Sequence, residues 1–149
     1  MPKASIIKII PCKKNDLFKM ILDIEKYPEF VPWCLSGKIH RRVDMKDMLE
    51  IEADLTVGKK FLNQTYKSHV TYYKDKDKIL VSNIDGPLKH LKNEWQIREI
   101  NNQSEVNFKI DFEIENIFYS MIMKKSFDKG LKNIADAFEK RAIQLFKNT

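Results

Sequence analysis

The segment LEIEADLTVG, residues 49–58, alternates apolar and polar side chains up to its closing glycine. Because successive side chains of a β-strand point to opposite faces of a sheet, this alternation predicts a strand with one dry face and one wet face. The segment VNFKIDFEI, residues 106–114, repeats the pattern. The two segments together indicate a sheet that is covered on one side only.

Further strand-like segments occupy residues 4–10, the stretch that begins at Ser36, and residues 60–73, 78–84 and 90–100. Short runs rich in glycine, asparagine, aspartate and lysine separate most of these segments. Separators of that kind are typical of β-hairpins. The sequence therefore predicts an antiparallel meander of about seven strands.

Helical spacing of apolar residues marks two segments, a short one from Lys14 to Leu22 and a long one over residues 117–146. Between the first helix and the strands, Pro28 and Pro32 forbid a continuous helix, since proline lacks an N–H and pushes the preceding residue toward extended geometry. We expect a broken, compact connector there. The long helix can bury its apolar stripe only by lying across the dry face of the sheet.

The composition limits the classes of function. A length of 149 residues fits one domain, residues 1–149, and the formal charge of +6 favours an anionic neighbour such as RNA, a ribosome or an acidic membrane surface. Lysine supplies most of the positive charge. Because bidentate reading of bases depends on arginine, we expect no DNA partner. The start of the chain lacks a long apolar run, so we expect a cytoplasmic protein.

Residue patterns that carry catalysis are missing from the sequence. The three histidines, His40, His69 and His90, have no metal-ligand spacing, and neither Cys12 nor Cys34 lies close to them. There is no glycine-rich phosphate loop and no nucleophile elbow. We therefore predict no metal site, no catalytic residues, no required cofactor and no enzyme activity.

A pocket between the sheet and the helix is expected, because one helix about 10 Å wide is narrow for a curled sheet. Period two places Gln64, Ser68 and Asn93 on dry faces beside apolar residues. Such polar groups need partners. A ligand with carbonyl or hydroxyl groups would provide them; a β-bulge that shifts the register or internal water would also account for them.

The first two turns of the long helix reverse its apolar stripe. Phe118 and Ile122 form an i, i+4 pair on the face opposite the stripe, and Lys124 and Lys125 follow. This arrangement suits contact with a membrane or a partner. The alternative is that the connector before the strands folds over Phe118 and Ile122.

Four motifs taken together resemble one family. They are YPEFVPWC at residues 27–34, ADLTVG at 53–58, IDGPLKHLKNEW at 84–95 and AFEKRA at 137–142. In this order they resemble the coenzyme Q-binding protein/RatA family of the START-like, or helix-grip, superfamily. The resemblance spans nearly the whole chain. It implies an α+β fold in which a seven-stranded curved antiparallel sheet wraps around a long C-terminal helix, with two short helices after the first strand.

The function that the resemblance implies is non-catalytic binding of a polyprenyl quinone such as ubiquinone in an apolar tunnel. Such a protein would be a carrier or chaperone that supports respiratory electron transfer. The absence of an organelle-targeting extension before the first strand favours a bacterial protein, loaded peripherally at the inner membrane. The alternative within the same family is an interaction protein that binds the large ribosomal subunit and hinders subunit association.

The resemblance makes residues 27–33 a lid over the pocket, although Phe30 and Trp33 would equally serve as a plug that completes a solid core. The expected contacts with the lipid are Phe30, Val31, Trp33, Leu55, Val57, Tyr66, Val70, Leu91, Trp95, Phe108, Phe112, Phe127 and Leu131. The expected contacts with a membrane or partner are Phe118, Ile122, Lys124 and Lys125.

Overall fold

Strands and helices follow one another in the predicted order. The structure, a computed structural model, describes the backbone of residues 3–59, 62–85, 88–114 and 117–146 and the side chains of residues 5–58, 65–84, 92–111 and 132–146. The elements are β1 (Lys3–Ile10), α1 (Lys14–Leu22), a 3-10 helix (Ile24–Glu29), β2 (Cys34–Asp44), β3 (Met48–Lys59), β4 (Leu62–Tyr73), β5 (Lys78–Asp85), β6 (Leu88–Ile100), β7 (Gln103–Ile114) and α2 (Ile117–Phe146).

The strands form one seven-stranded antiparallel sheet in the order β1-β7-β6-β5-β4-β3-β2. Strands β2 to β7 are joined in sequence as hairpins, which confirms the predicted meander. Strand β1 pairs with β7 at the far end of the chain, with Ile6 opposite Phe108. The predicted α+β fold class, a curved antiparallel sheet with a long C-terminal helix, is confirmed.

The inner face of the sheet carries the alternating apolar residues. In β3 the side chains of Leu49, Ile51 and Ala53 are buried, as the pattern of residues 49–58 predicts. Helix α1 covers part of this face, and its Phe18 ring stacks on Tyr72 of β4 with 4.6 Å between ring centroids. Helix α2 packs against β1 and β7. The two helices therefore cover different parts of the concave face.

The connector differs from the expectation in one respect, because the 3-10 helix continues through Pro28 to Glu29. Tyr27, just before the proline, is helical rather than extended. The fixed φ of proline suits a 3-10 helix, although the missing N–H costs the helix the bond that residue 28 would otherwise make to the carbonyl of Glu25. The N–H groups of Phe30 and Val31 both donate to the carbonyl of Tyr27, at 3.1 and 2.8 Å, and so close the turn beyond the proline.

The 3-10 helix lies directly on β2. A Cβ placed on Gly37 would sit 2.3 Å from the carbonyl oxygen of Ile24, so only glycine allows this approach. Between the two elements, Trp33 adopts a left-handed backbone with φ of 61°, and its carbonyl accepts a hydrogen bond of 2.8 Å from the N–H of Gly58 in β3. These contacts fix the connector over one end of the sheet.

Candidate ligand-binding site

Phe138 of α2 is the centre of a cluster of aromatic rings. Its side chain is 3% exposed. Its ring centroid lies 5.2 Å from Trp95 of β6, 5.1 Å from Phe30 and 5.5 Å from Tyr27, all at steep interplanar angles. Trp95 in turn lies 4.6 Å from Phe108 of β7. Edge-to-face packing of this kind is favourable, and here it joins the connector, the sheet and the C-terminal helix.

A small cavity of about 30 Å³ lies beside this cluster, between α2 and strands β1, β6 and β7. Its walls are mainly apolar. The lining residues are Ile6, Lys8, Ile10, Trp95, Val106, Phe108, Ile134, Ala135 and Phe138. Sites for organic ligands usually enclose about 300 to 1,000 Å³. A ligand larger than a water molecule or two must therefore displace some of these side chains, and the lid or the helix would move to admit it.

Lys8 is a charged residue on the inner face of β1, at the edge of the cavity. Its Nζ donates to Oδ1 of Asp136 at 2.7 Å and lies 3.2 Å from Oε1 of Glu139, both on α2. The hydrogen bond to Asp136 raises the pKa of Lys8, and the same bond lowers the pKa of Asp136. The ammonium group therefore attaches α2 to the edge of the sheet and leaves the aliphatic part of the side chain against the cavity.

A second ion pair attaches the connector to the opposite side of α2. Arg141 donates to Oε1 of Glu29 at 2.7 Å, and its guanidinium carbon lies 5.2 Å from the centre of the Phe30 ring. The hydrogen bond from Arg141 lowers the pKa of Glu29. We use the name lid for residues 27–33, which include Phe30. The lid is thus held by an ion pair, a cation–π contact and ring packing.

Tyr27 completes the lid's attachment to the core. Its hydroxyl donates to the carbonyl of Ile21 in α1, and burial raises the pKa of the phenol. The inner face of the sheet also carries polar groups. Ser68 of β4 is buried, and Asn93 of β6 faces the same way as Trp95 and Ile97.

The structure brings together three of the residues expected to contact a lipid. Phe30 and Trp95 pack on Phe138, and Phe108 packs on the Trp95 ring. Val31 is partly buried against the core beside them. Trp33 differs from these, since its side chain is 41% exposed.

Four other expected contacts lie on the inner face farther along the sheet. Leu55 and Val57 are on β3, and Tyr66 and Val70 are on β4. Leu55 is partly buried against the core, and Val70 is buried within it. Strand β3 is three strands away from β6, which corresponds to about 14 Å at the usual strand spacing. This second group therefore lies on other strands than Trp95 and Phe108, although Leu55 and Val70 belong to the same hydrophobic core as Phe138.

The remaining expected residues lie outside the side chains that the structure describes. For the lipid they are Leu91, Phe112, Phe127 and Leu131; for a membrane or partner they are Phe118, Ile122, Lys124 and Lys125. The backbone of these residues belongs to β6, β7 and α2. Gln64, expected on the inner face of β4, also lies outside the described side chains.

Sequence reasoning did not single out Phe138 or Lys8 as site residues. Phe138 belongs to the apolar stripe of the long helix, but nothing in the local pattern distinguishes the residue at the centre of the stripe from its neighbours. Lys8 interrupts the apolar face of β1, and a charged residue at an inward position is a usable signal of an ion pair across the core. The cavity-lining Val106 belongs to the alternating pattern but was not assigned to the site.

Among the side chains that the structure describes, no group of three or more histidine, cysteine, aspartate or glutamate residues is placed to hold a metal ion. No helix in the described part of the chain has both the length and the apolar character that crossing a bilayer requires.

The structure has the helix-grip fold of START-like and Bet v 1-like proteins. In this fold a curved antiparallel sheet holds a long C-terminal helix across its concave face, and here an apolar cavity lies between the two. The family model described as polyketide cyclase/dehydrase and lipid transport matches residues 10–139. The chain belongs to that family.

Two relatives bear different functional names. The ribosome association toxin RatA of Rickettsia prowazekii is 30% identical over 94% of this chain and 95% of its own length. The mitochondrial coenzyme Q-binding protein of Dictyostelium discoideum is 31% identical over 89% of this chain and 64% of its own length. Among solved structures, an 18 kDa protein of Caulobacter crescentus is 28% identical, with a TM-score of 0.79 over 97% of this chain and 98% of that one. These comparisons support the resemblance to the coenzyme Q-binding protein/RatA family.

Proposed function

We propose that this protein is a non-catalytic lipid-binding protein that holds a polyprenyl quinone, such as ubiquinone, between the sheet and α2. It would act as a carrier or chaperone that supports respiratory electron transfer. The observation that carries the proposal is the aromatic cluster of Trp95, Phe108 and Phe138 beside an apolar cavity.

The chemistry of the cluster suits a quinone. A quinone ring is flat and conjugated, so it can pack against aromatic side chains, whose own ring centroids lie about 4.5 to 7 Å apart in packed pairs. The polyprenyl tail is a hydrocarbon and requires an apolar wall, which Ile10, Val106 and Ile134 supply in this cavity. Because the cavity is small, binding requires the lid or α2 to move. This movement exchanges contacts among protein side chains for contacts with the ligand.

The titratable groups of the site favour binding over catalysis. Of the residues that line the cavity, Lys8 is the one that titrates, and two carboxylates of α2 hold its ammonium group. General acid–base catalysis requires a group positioned to exchange its proton with the substrate. A lysine whose pKa is raised by a carboxylate keeps its proton at neutral pH.

Native mass spectrometry with lipid extraction tests the proposal on protein purified from a quinone-producing host. We expect a polyprenyl quinone to co-purify, and decylubiquinone to bind when added to protein stripped of lipid. Protein that carries no quinone and also fails to bind added decylubiquinone would overturn the proposal.

Ribosome association is the second candidate. It is favoured by the full-length match to a relative named for ribosome association, together with the net charge of +6. Edge strand β2 exposes Lys38, Arg41 and Arg42, which offers cations to RNA phosphates. Binding driven by phosphate neutralisation weakens steeply with salt. Co-sedimentation with isolated large subunits at low and moderate salt tests this candidate, and no association at either salt concentration would contradict it.

Membrane contact belongs to the lipid-binding proposal. A cytoplasmic protein would load its lipid peripherally at the inner membrane through Phe118, Ile122, Lys124 and Lys125. Flotation with vesicles that contain anionic lipid tests this step. The double variant Phe118→Ser/Ile122→Ser should lose flotation, and equal flotation of the variant and the parent would remove these residues from the interface.

A further inference from the structure

Asn93 places an amide between apolar residues on the inner face of β6. It shares this face with Trp95 and with Ile97, which is buried. Its neighbours across the sheet are Val81 of β5 and Ile110 of β7. The amide oxygen of Asn93 is shielded from solvent and has no hydrogen-bond partner among the described residues. A shielded acceptor without a donor costs free energy, so its presence in the protein requires an explanation.

Two other polar side chains continue the same face toward β4. Ser68, which is buried, lies opposite Asn83 of β5 in the register of the two strands. Because Val81 lies opposite Asn93, Asn83 is its diagonal neighbour on the inner face. Serine and asparagine therefore form a polar row across three adjacent strands, with apolar residues around it.

The polar row lies beside the aromatic cluster. Asn93 and Trp95 are two residues apart on one strand face, which is about 7 Å along the strand. A six-membered ring that packs against Trp95 can therefore present an oxygen substituent to the Asn93 amide. As oriented in the structure, the amide oxygen accepts from a ring hydroxyl. If the amide group rotates by half a turn, its NH₂ group would donate to a ring carbonyl instead. The side chain can therefore form a hydrogen bond with both the reduced and the oxidised form of a quinone.

We propose that Asn93 recognises the oxygen-bearing ring of the bound lipid, while the aromatic cluster holds the ring and the apolar wall holds the tail. The inference rests on the proposed function, since it names the headgroup contact of that site. It also assigns the ligand to a chemical class: a lipid whose ring carries hydroxyl or carbonyl groups, rather than a plain hydrocarbon or a fatty acid.

The experiment compares two probes that share a ten-carbon tail. Decylubiquinone carries carbonyl and methoxy oxygens and a methyl group on its ring, whereas the ring of decylbenzene carries only the tail. Binding is followed by quenching or shift of the intrinsic tryptophan fluorescence. The variant is Asn93→Leu, which keeps the side-chain size and removes the amide. The control is Asn107→Leu on β7. The amide oxygen of Asn107 is likewise shielded and without a partner in the described residues, but it faces the outer side, opposite Gln96 and Ile7.

We expect Asn93→Leu to weaken decylubiquinone binding about fivefold to tenfold, the range for one lost hydrogen bond, and to leave decylbenzene binding unchanged. The melting temperature of Asn93→Leu should equal or exceed that of the parent, because the variant removes an unpaired polar atom from an apolar face. Asn107→Leu should bind both probes as the parent does.

Parent-like decylubiquinone binding by Asn93→Leu would overturn the inference and leave the proposed function standing. A lower melting temperature with equal loss of both probes would also overturn it, since the amide would then have a structural role that bound water satisfies. A parent protein that binds neither probe would instead reject the proposed function itself.

Discussion

Arg141 and Glu29 are 112 residues apart in the chain, yet the Arg141 guanidinium donates to Oε1 of Glu29 at 2.7 Å and covers the Phe30 ring beside it. One side chain of α2 thus makes both a charged and a ring contact with the lid. The ring contact depends on packing, whereas the charged contact is exposed and sensitive to salt and pH. The two contributions can therefore be separated by experiment.

Glu29→Gln should make lid opening more frequent without changing the shape of the lid. The substitution removes the charge that pairs with Arg141 but leaves Phe30 and its ring contacts in place. We expect the rates of decylubiquinone uptake and release both to rise severalfold, measured by stopped-flow fluorescence, with little change in affinity. Asp44→Asn, which breaks the exposed pair with Lys74 away from the lid, is the control. Rates for Glu29→Gln equal to those of the parent would show that the ion pair does not restrain the lid.

Acid should destabilise the fold through three carboxylates. Hydrogen bonds from Arg141, Lys74 and Lys8 lower the pKa values of Glu29, Asp44 and Asp136 respectively. A lowered pKa in the folded state contributes stability above the ordinary carboxyl value of about 4, and this contribution is lost as pH falls through the lowered value. The melting temperature should therefore decrease when the pH is lowered below about 4. Asp136→Asn should show a shallower drop, and parallel curves for variant and parent would contradict the assignment.

Trp95→Ala should weaken quinone binding while leaving the sheet folded. Trp95 packs on Phe108 and Phe138 at the cavity, and its removal takes away both apolar area and ring contacts. We expect affinity for decylubiquinone to fall about tenfold or more, measured by calorimetry with circular dichroism to check folding. Glu94→Gln, on the outward face of the same strand, should bind like the parent. Unchanged affinity in folded Trp95→Ala would remove Trp95 from the site.

Phe138→Ala should be among the more damaging substitutions in α2. Phe138 contacts Tyr27, Phe30 and Trp95, so its loss leaves a cavity that three elements would have to close. The expected loss is about 3 to 5 kcal/mol in the free energy of unfolding, measured in urea. Leu145→Ala, at an exposed position of the same helix, should change it by less than about 0.5 kcal/mol. Similar losses in the two variants would place the packing centre elsewhere.

Gly37→Ala should destabilise the junction between the 3-10 helix and β2. The added methyl group would lie 2.3 Å from the carbonyl oxygen of Ile24, and backbone cannot yield as a flexible side chain would. Overpacking of this kind costs about 1 to 3 kcal/mol, to be measured by urea unfolding. Ser36→Ala, the exposed neighbour on the same strand, is the control and should be nearly neutral. If Gly37→Ala left the free energy of unfolding unchanged, the 3-10 helix would have to shift freely on β2.

The alternating patterns predicted the sheet well because side-chain period follows directly from strand geometry. Helix α1 begins and ends at the predicted Lys14 and Leu22, and Leu49, Ile51 and Ala53 face inward as expected. The pairing of β1 with β7 had no local signal, since it depends on which strand edge remains open after the hairpins form. The helical backbone at Tyr27 was not foreseen, because the bias of a residue before proline is a preference that a short 3-10 turn can override.

The site was predictable only in part. The resemblance and the inward positions of the strand pattern predicted three site residues that the structure brings together: Phe30, Trp95 and Phe108. Their meeting point on Phe138 depends on how far α2 has rotated and slid across the sheet, which the helical period does not determine. The ion pairs of Lys8 and Arg141 could not be predicted for a similar reason, since each joins side chains from elements far apart in the sequence. They fix that rotation once the helix is in place.

The pairing of β1 with β7 also has a consequence for biosynthesis. Lys3 lies opposite Asp111, and Ile10 lies opposite Ser104. Strand β1 is therefore synthesised roughly a hundred residues before β7 and cannot pair with it until β7 has been made. At about 5 to 20 residues per second, this leaves the isoleucine-rich strand unpaired for at least several seconds while the chain emerges. Lys3 and Lys8 place positive charge within that strand. Because lysine on an unpaired strand opposes pairing with other chains, we expect the two residues to protect the protein from such pairing before the sheet is complete.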